Sequence, residues 1–226
     1  MIKRCRGFGL IEIMIAMTLG LLIMLGLSQL FISVKSTHLS QNASAAMQED
    51  ARFALSRLIH EIRMVGMFGC LATIDDKSGS GFAAAQQNPI RWDSGRQALT
   101  LVTADVGSTD GNPTWTLYSD CETSATAHNK KDSGVGPLKF PISQVTYTYN
   151  RRAREITNLI QNVSSFNVLF GVANDLNDTG IARYINNPPD PSLIRSVRLT
   201  LTLEDPGKRV KDQTFSVVAA LRNRLG

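Results

Sequence analysis

This chain of 226 residues lacks the common catalytic motifs. It has no P-loop, no GxSxG elbow, no HExxH helix and no CxxC pair. Those motifs would have pointed to a nucleotide, an acyl transfer, a zinc ion or a thiol couple. The three histidines, His38, His60 and His128, lie far apart along the chain and offer no ready acid–base pair. The sequence therefore predicts a non-enzyme without a cofactor. Aromatic residues make up only 7%, too few for a surface that stacks nucleobases. Hydrophobic content of 43% with 19% charged residues is that of a folded chain rather than a disordered one.

Cysteine is scarce and odd in number, at Cys5, Cys70 and Cys121. Loss of a short N-terminal leader would remove Cys5 and leave two, enough for one disulfide in an oxidising compartment. The alternative is two buried free thiols.

Charge is absent from Ile13 to Val34, a run rich in Leu, Ile and Met. As a helix this run spans about 33 Å, close to the ~30 Å hydrocarbon core of a bilayer. No proline interrupts it, and Gly20 and Gly26 are its only weak points. Lys3, Arg4 and Arg6 precede it, which places the N-terminus in the cytoplasm. Without those three, 21 of the 24 basic residues remain against 19 acidic ones, so the net charge of +5 falls to +2. The basic balance is then poor evidence for a nucleic-acid partner.

Three readings compete for this N-terminus. A conventional signal peptide could be cut near Ala43-Ser44-Ala45, but the apolar run is too long and that site lies well past it. An uncleaved anchor is the second. Neither accounts for Glu12, a carboxylate at the edge of the apolar run, where an unpaired charge is costly. The third comes from Arg6–Ile13, RGFGLIEI, which resembles the prepilin processing site of type IV pilins and type II secretion pseudopilins. The family pattern is a basic leader, Gly, Phe, three mostly apolar residues and Glu. Gly9, where Thr is usual, is a mild departure. The resemblance implies that a prepilin peptidase cuts between Gly7 and Phe8 and N-methylates Phe8. Glu12 would then neutralise the N-terminal amine of a neighbouring subunit and set axial register.

Past Val34 the apolar residues Leu39, Ala43, Ala46, Met47, Ala54, Leu58, Ile62 and Val65 recur at helical spacing. One helix is expected from Phe8 to about Val65, roughly 87 Å long, with Gly66 and Gly69 as stop signals. Asp75–Pro89 reads as a loop. Beyond it, period-two patterns predict strands at Ala98–Thr103, Thr114–Tyr118, Gln144–Tyr149, Arg154–Asn158, Ser165–Phe170, Ser196–Leu203 and Thr214–Leu221. Asn150–Ala153 reads as a hairpin turn. The expected fold is α+β and type IV pilin-like, a long N-terminal helix packed on an antiparallel β-sheet head. The expected divisions are a leader at 1–7, a transmembrane and assembly helix at 8–34, its amphipathic continuation at 35–66, and a head at 67–226.

The C-terminal half looks like the PilW group of minor pilins, on Ser164–Gly171, Tyr184, Ser196–Leu199 and Phe215 to Arg224, with Gly69-Cys70 after the helix. That resemblance implies a structural subunit that primes type IV pilus assembly and can sit at the filament tip. Its implied partners are other minor pilins, the major pilin, the prepilin peptidase and the inner-membrane assembly machinery. The implied location is the bacterial inner membrane, crossed once, and then the periplasm or extracellular pilus. A type II secretion pseudopilin of the J class and a tip adhesin or DNA-binding pilin are the alternatives. Asp175, Asn177 and Asp178 are oxygen-rich like a calcium loop but lack its spacing, and a turn is the simpler reading. Arg151, Arg152 and Arg154 likewise read as a solvated turn before a DNA contact.

Overall fold

The computed structural model describes residues 9–104, 112–130, 136–178 and 180–221. Gly7, Phe8, Cys5 and the terminal Arg222–Arg224 lie outside the described residues.

Leu10–Met64 form one helix of 55 residues, α1, about 82 Å long. Long unbranched side chains and the absence of proline favour it along its whole length. Glycines 20 and 26 do not interrupt it. It ends at Val65, whose backbone is extended, and Gly66 and Gly69 then take the left-handed conformation that turns the chain away. The buried stripe is Ala43, Met47, Ala51, Ala54, Leu55, Leu58 and Ile62. Leu39 and Ala46, expected on that stripe, are exposed, so packing begins one turn later than the periodicity suggests.

The head contains two sheets where the sequence predicted one. The strands in chain order are β1 (Asp75–Asp76), β2 (Ile90–Asp93), β3 (Ala98–Ala104), β4 (Trp115–Ser119), β5 (Ala125–Asn129), β6 (Leu138–Asn150), β7 (Glu155–Ile156), β8 (Ile160–Gln161), β9 (Val163–Val172), β10 (Arg183–Ile185), β11 (Ile194–Leu203) and β12 (Gln213–Ala220). The first sheet runs β1-β5-β4-β6-β3-β2, with β7 and β8 extending β6 as a hairpin. The second runs β10-β9-β11-β12 and is antiparallel throughout. The β1–β5 pair is parallel, so the first sheet is mixed. The lower half of α1 contacts β3 of one sheet and β11 and β12 of the other, and a shared core fills the space between them.

Several local expectations change for identifiable reasons. Asp75–Pro89 is not simply a loop, because it holds β1 and the short helix α2 (Phe82–Gln87). Phe82 is fully buried, in edge-to-face contact with Phe68 and Trp115. This second cluster, with Val102, Leu117, Ala127 and Ile142, covers the face of the first sheet that α1 does not reach. That explains why six of the seven residues of β3 are buried instead of every other one. The strand expected at Arg154–Asn158 shrinks to Glu155–Ile156, since Arg154 and Asn158 both adopt positive φ. The hairpin turn before it forms as expected, with Asn150 Oδ1 accepting from the backbone N–H groups of Arg152 and Ala153 at 3.0 and 3.1 Å.

Candidate functional site

The most unusual surface of the molecule is the upper half of α1. From Leu10 to Val34 its large apolar side chains are 47–79% exposed, among them Ile11, Leu21 and Phe31. Among the described residues no part of the head covers the most apolar stretch, whose mean hydropathy is 2.4. By length and composition this helix can cross a membrane. Its hydroxyls suit that setting, because Thr18 Oγ1 donates to the Ile15 carbonyl at 2.9 Å and Ser28 Oγ to the Met24 carbonyl at 2.8 Å. Neither leaves a polar group in need of water.

Glu12 sits at the third helical position after the N-cap Gly9, and its Oε2 accepts from the Gly9 N–H at 3.4 Å. A carboxylate in the first turn also complements the partial positive charge of the helix end. The side chain is therefore folded back towards its own N-terminus. Gly7 and Phe8, between which cleavage is expected, lie outside the described residues.

Cys70 and Cys121 are joined in a disulfide, with Cα atoms 5.4 Å apart and a sequence separation of 51. The bridge ties the exit of α1 to the turn between β4 and β5. Cys70 is exposed, which does not fit the alternative of two buried thiols. The β4–β5 turn is built around Asp120, whose Oδ1 accepts from the backbone N–H groups of Glu122, Thr123 and Ser124, each at 2.9 Å. Those donors, Ser124 foremost, hold the Asp120 carboxyl well below the usual carboxylate range.

Sequence reading missed a second such carboxylate. Asp205 is buried and accepts from Arg209 Nε at 2.9 Å, Nη2 at 2.6 Å and the Arg209 backbone N–H at 2.7 Å. The Arg209 side chain is the main cause of its lowered pKa. Only the four-residue spacing of opposite charges could have signalled the pair. Both carboxylates bind protons more weakly folded than unfolded. Their stabilisation is therefore complete above the unfolded value of about 3.9 and is lost as pH falls through the folded values. The melting temperature should drop steadily from pH 4 to pH 2, and Asp205→Asn should flatten that drop; equal slopes would exclude the linkage.

The remaining sequence candidates are held in local structure. Asp175 Oδ1 accepts from the N–H groups of Asn177 and Asp178, both at 2.9 Å, and Asp178 Oδ1 from Gly180 N–H at 2.8 Å. The loop carbonyls face a cation already present in the chain. Arg195, 4% exposed, donates to the carbonyls of Asp178, Leu176 and Ser192 at 3.0, 2.9 and 2.8 Å. A guanidinium thus lies against backbone carbonyls of the loop that the sequence reads as a turn before a calcium site. Arg154 pairs with Glu204, which takes one member out of the basic cluster at the hairpin tip. Glu61 on α1 accepts from the Tyr147 hydroxyl at 2.6 Å and pairs with Arg57 at 3.3 Å. Burial first, and then the Glu61 carboxylate, raises the Tyr147 pKa above the usual phenol range.

Comparison with protein families matches residues 2–28 to the prokaryotic N-terminal methylation motif. No curated protein and no solved structure matches the chain. The matched segment contains the Gly7–Phe8 bond, Glu12 and the first turns of the apolar helix. A prepilin-type motif implies processing by a prepilin peptidase and assembly with other pilins. With the long exposed helix on a β-rich head, it supports a type IV pilin-like, prepilin-type protein.

Proposed function

We propose that this chain is a PilW-like minor pilin, a structural subunit that primes type IV pilus assembly and is carried at or near the filament tip. The observation that supports it most is the uncovered apolar half of α1 joined to a methylation motif. The helix holds the precursor in the inner membrane with the head outside. Cleavage after Gly7 then frees Phe8, and the assembly machinery draws the subunit into a bundle of such helices. In that bundle Glu12 of one subunit compensates the terminal amine of the next, which fixes the axial step because an unpaired charge is penalised in apolar surroundings. The head makes the contacts that select other minor pilins and the major pilin. A type II secretion pseudopilin shares the same motif; genes for minor pilins or for secretion components beside this one would separate the two.

Expressed with a prepilin peptidase, the protein should lose the mass of residues 1–7 and gain one methyl group. Replacing Gly7 by a bulky residue should block the shift. A mature protein that keeps its full length, or begins at Ala46, would refute the assignment. Glu12→Ala should be cleaved normally yet enter filaments about tenfold less, the loss expected for roughly 1.4 kcal/mol of register energy. Normal incorporation, measured by immunoblot of sheared filaments, would remove Glu12 from the assembly step.

A further inference from the structure

The polar side chains of the apolar run from Ile13 to Val34 are Thr18, Ser28, Gln29 and Ser33. Thr18 and Ser28 bond to carbonyls of their own helix. Gln29 and Ser33 do not, and neither side chain has a hydrogen-bond partner among the described residues. Both residues are exposed. In hydrocarbon a carboxamide without a partner is heavily penalised. Gln29 lies about 8 Å inside the Val34 end of the run. Side chains on a helix lean towards its N-terminus, so this carboxamide points deeper and not out to the nearer surface.

Residues three and four apart share a helix face, which sets Gln29 and Ser33 beside Gly26. A Cβ at Gly26 would meet nothing within 4 Å, so a second helix can come close there. The head lies over this same face further along α1. Eighteen residues make about five turns, which brings Gly26, Gln29 and Ser33 into line with Ser44, Met47 and Ala51. Met47 and Ala51 are buried, and Ser44 Oγ accepts from Gln213 Nε2 of β12 at 2.7 Å. A second copy would insert in the same direction, because Lys3, Arg4 and Arg6 hold its N-terminus on the same side. Docked on this face, its own 55-residue helix would run into the head of the first. A helix that stops near the membrane surface avoids that clash. Burial under the head begins at Ala43, about 15 Å beyond Ser33.

We propose that Gly26, Gln29 and Ser33 receive a transmembrane helix of a different membrane protein. That helix carries a hydrogen-bonding side chain at the depth of Gln29 and ends within about 15 Å of Ser33. The Gln29 carboxamide both donates to and accepts from it, and Gly26 lets the two backbones approach. The inference rests on α1 crossing a membrane, as proposed above, but not on cleavage or methylation. It names the kind of membrane partner that holds the chain before it joins a filament.

The test uses the full-length chain in phosphatidylcholine vesicles, with a donor dye on Cys5, the cysteine outside the disulfide. The probes are acceptor-labelled helices of about twenty leucines between lysines, either all Leu or with one Asn at the depth of Gln29. Energy transfer should show the Asn helix binding about tenfold more tightly than the all-Leu helix. Gln29→Leu should erase that difference and Gln29→Asn should keep it. Ser28→Ala should leave it unchanged, because the Ser28 hydroxyl already has its bond. An Asn helix extended by about twenty helical residues past the Val34 end, a further ~30 Å, should lose the gain against the head. Equal binding of the two short helices, a difference that survives Gln29→Leu, or undiminished binding of the extended helix would overturn the proposal. Transfer between copies of the chain that Gln29→Leu abolishes would make the occupant a second copy and overturn it too. Digestion of residues 13–34 by protease outside the vesicles would remove the membrane-spanning reading and this site with it. Protection of that segment without a preference for Asn would sink this proposal alone.

Discussion

Replacing both Cys70 and Cys121 by serine should lower the stability of the protein by about 4 kcal/mol. The loop that the bridge closes holds β1, α2, β2, β3 and β4, the segment with the second hydrophobic cluster around Phe82. Without the bridge, that segment, whose ends are 51 positions apart, gains chain entropy when unfolded, which favours the unfolded state. The segment just after α1 is the part most exposed to this loss. It holds itself with left-handed glycines at 66 and 69 and relies on Phe68 for apolar contact. A fall in melting temperature of about 10 °C is expected in detergent solution, and reduced wild-type protein should match the double variant. Two cysteines that alkylate in the native protein without reductant would show the bridge to be absent.

Leu58→Ala should cost about 3–4 kcal/mol, within the range for deleting a large buried aliphatic side chain. Leu58 is fully buried on the face of α1 that the two sheets share, in a cluster that includes Leu101 and Tyr147 from one sheet and Leu199 and Leu201 from the other. A cavity there cannot be filled by moving one sheet alone, because both are fixed to the same helix. Denaturant curves for the variant should shift as one cooperative transition. Phe53, 58% exposed on another face of the same helix, serves as the control, and Phe53→Ala should stay within about 0.5 kcal/mol. A Leu58→Ala cost below about 1 kcal/mol would mean that α1 does not form the wall between the sheets.

The sequence was most legible where one local rule acts alone. An uninterrupted apolar run without proline can hardly be anything but helix, and the predicted span of α1 agrees with the observed one to within two residues at each end. The alternation at Val197, Leu199, Leu201 and Leu203 likewise placed β11. Reading failed where distant contacts decide. Phe82 sits in a Gly-, Ser- and Ala-rich stretch with no period, and only the face of the first sheet opposite α1 makes it a core residue. Glu61 looks like a surface charge until β6 brings Tyr147 over it.

For the candidate site the division is similar. The expected leader and cleavage bond, Glu12 and the membrane-length helix are all carried by contiguous residues, so they are legible in the sequence by itself. Their chemistry depends on local charge and on one-dimensional hydropathy. The tertiary structure alone decided that the head has two sheets around α1 and that Arg195 fills the carbonyl cradle of the Asp175 loop. It alone decided that β12 is the end strand of the second sheet among the described residues. Those features depend on which segments meet across the core, and strand order is set by burial and backbone pairing between residues far apart in the chain.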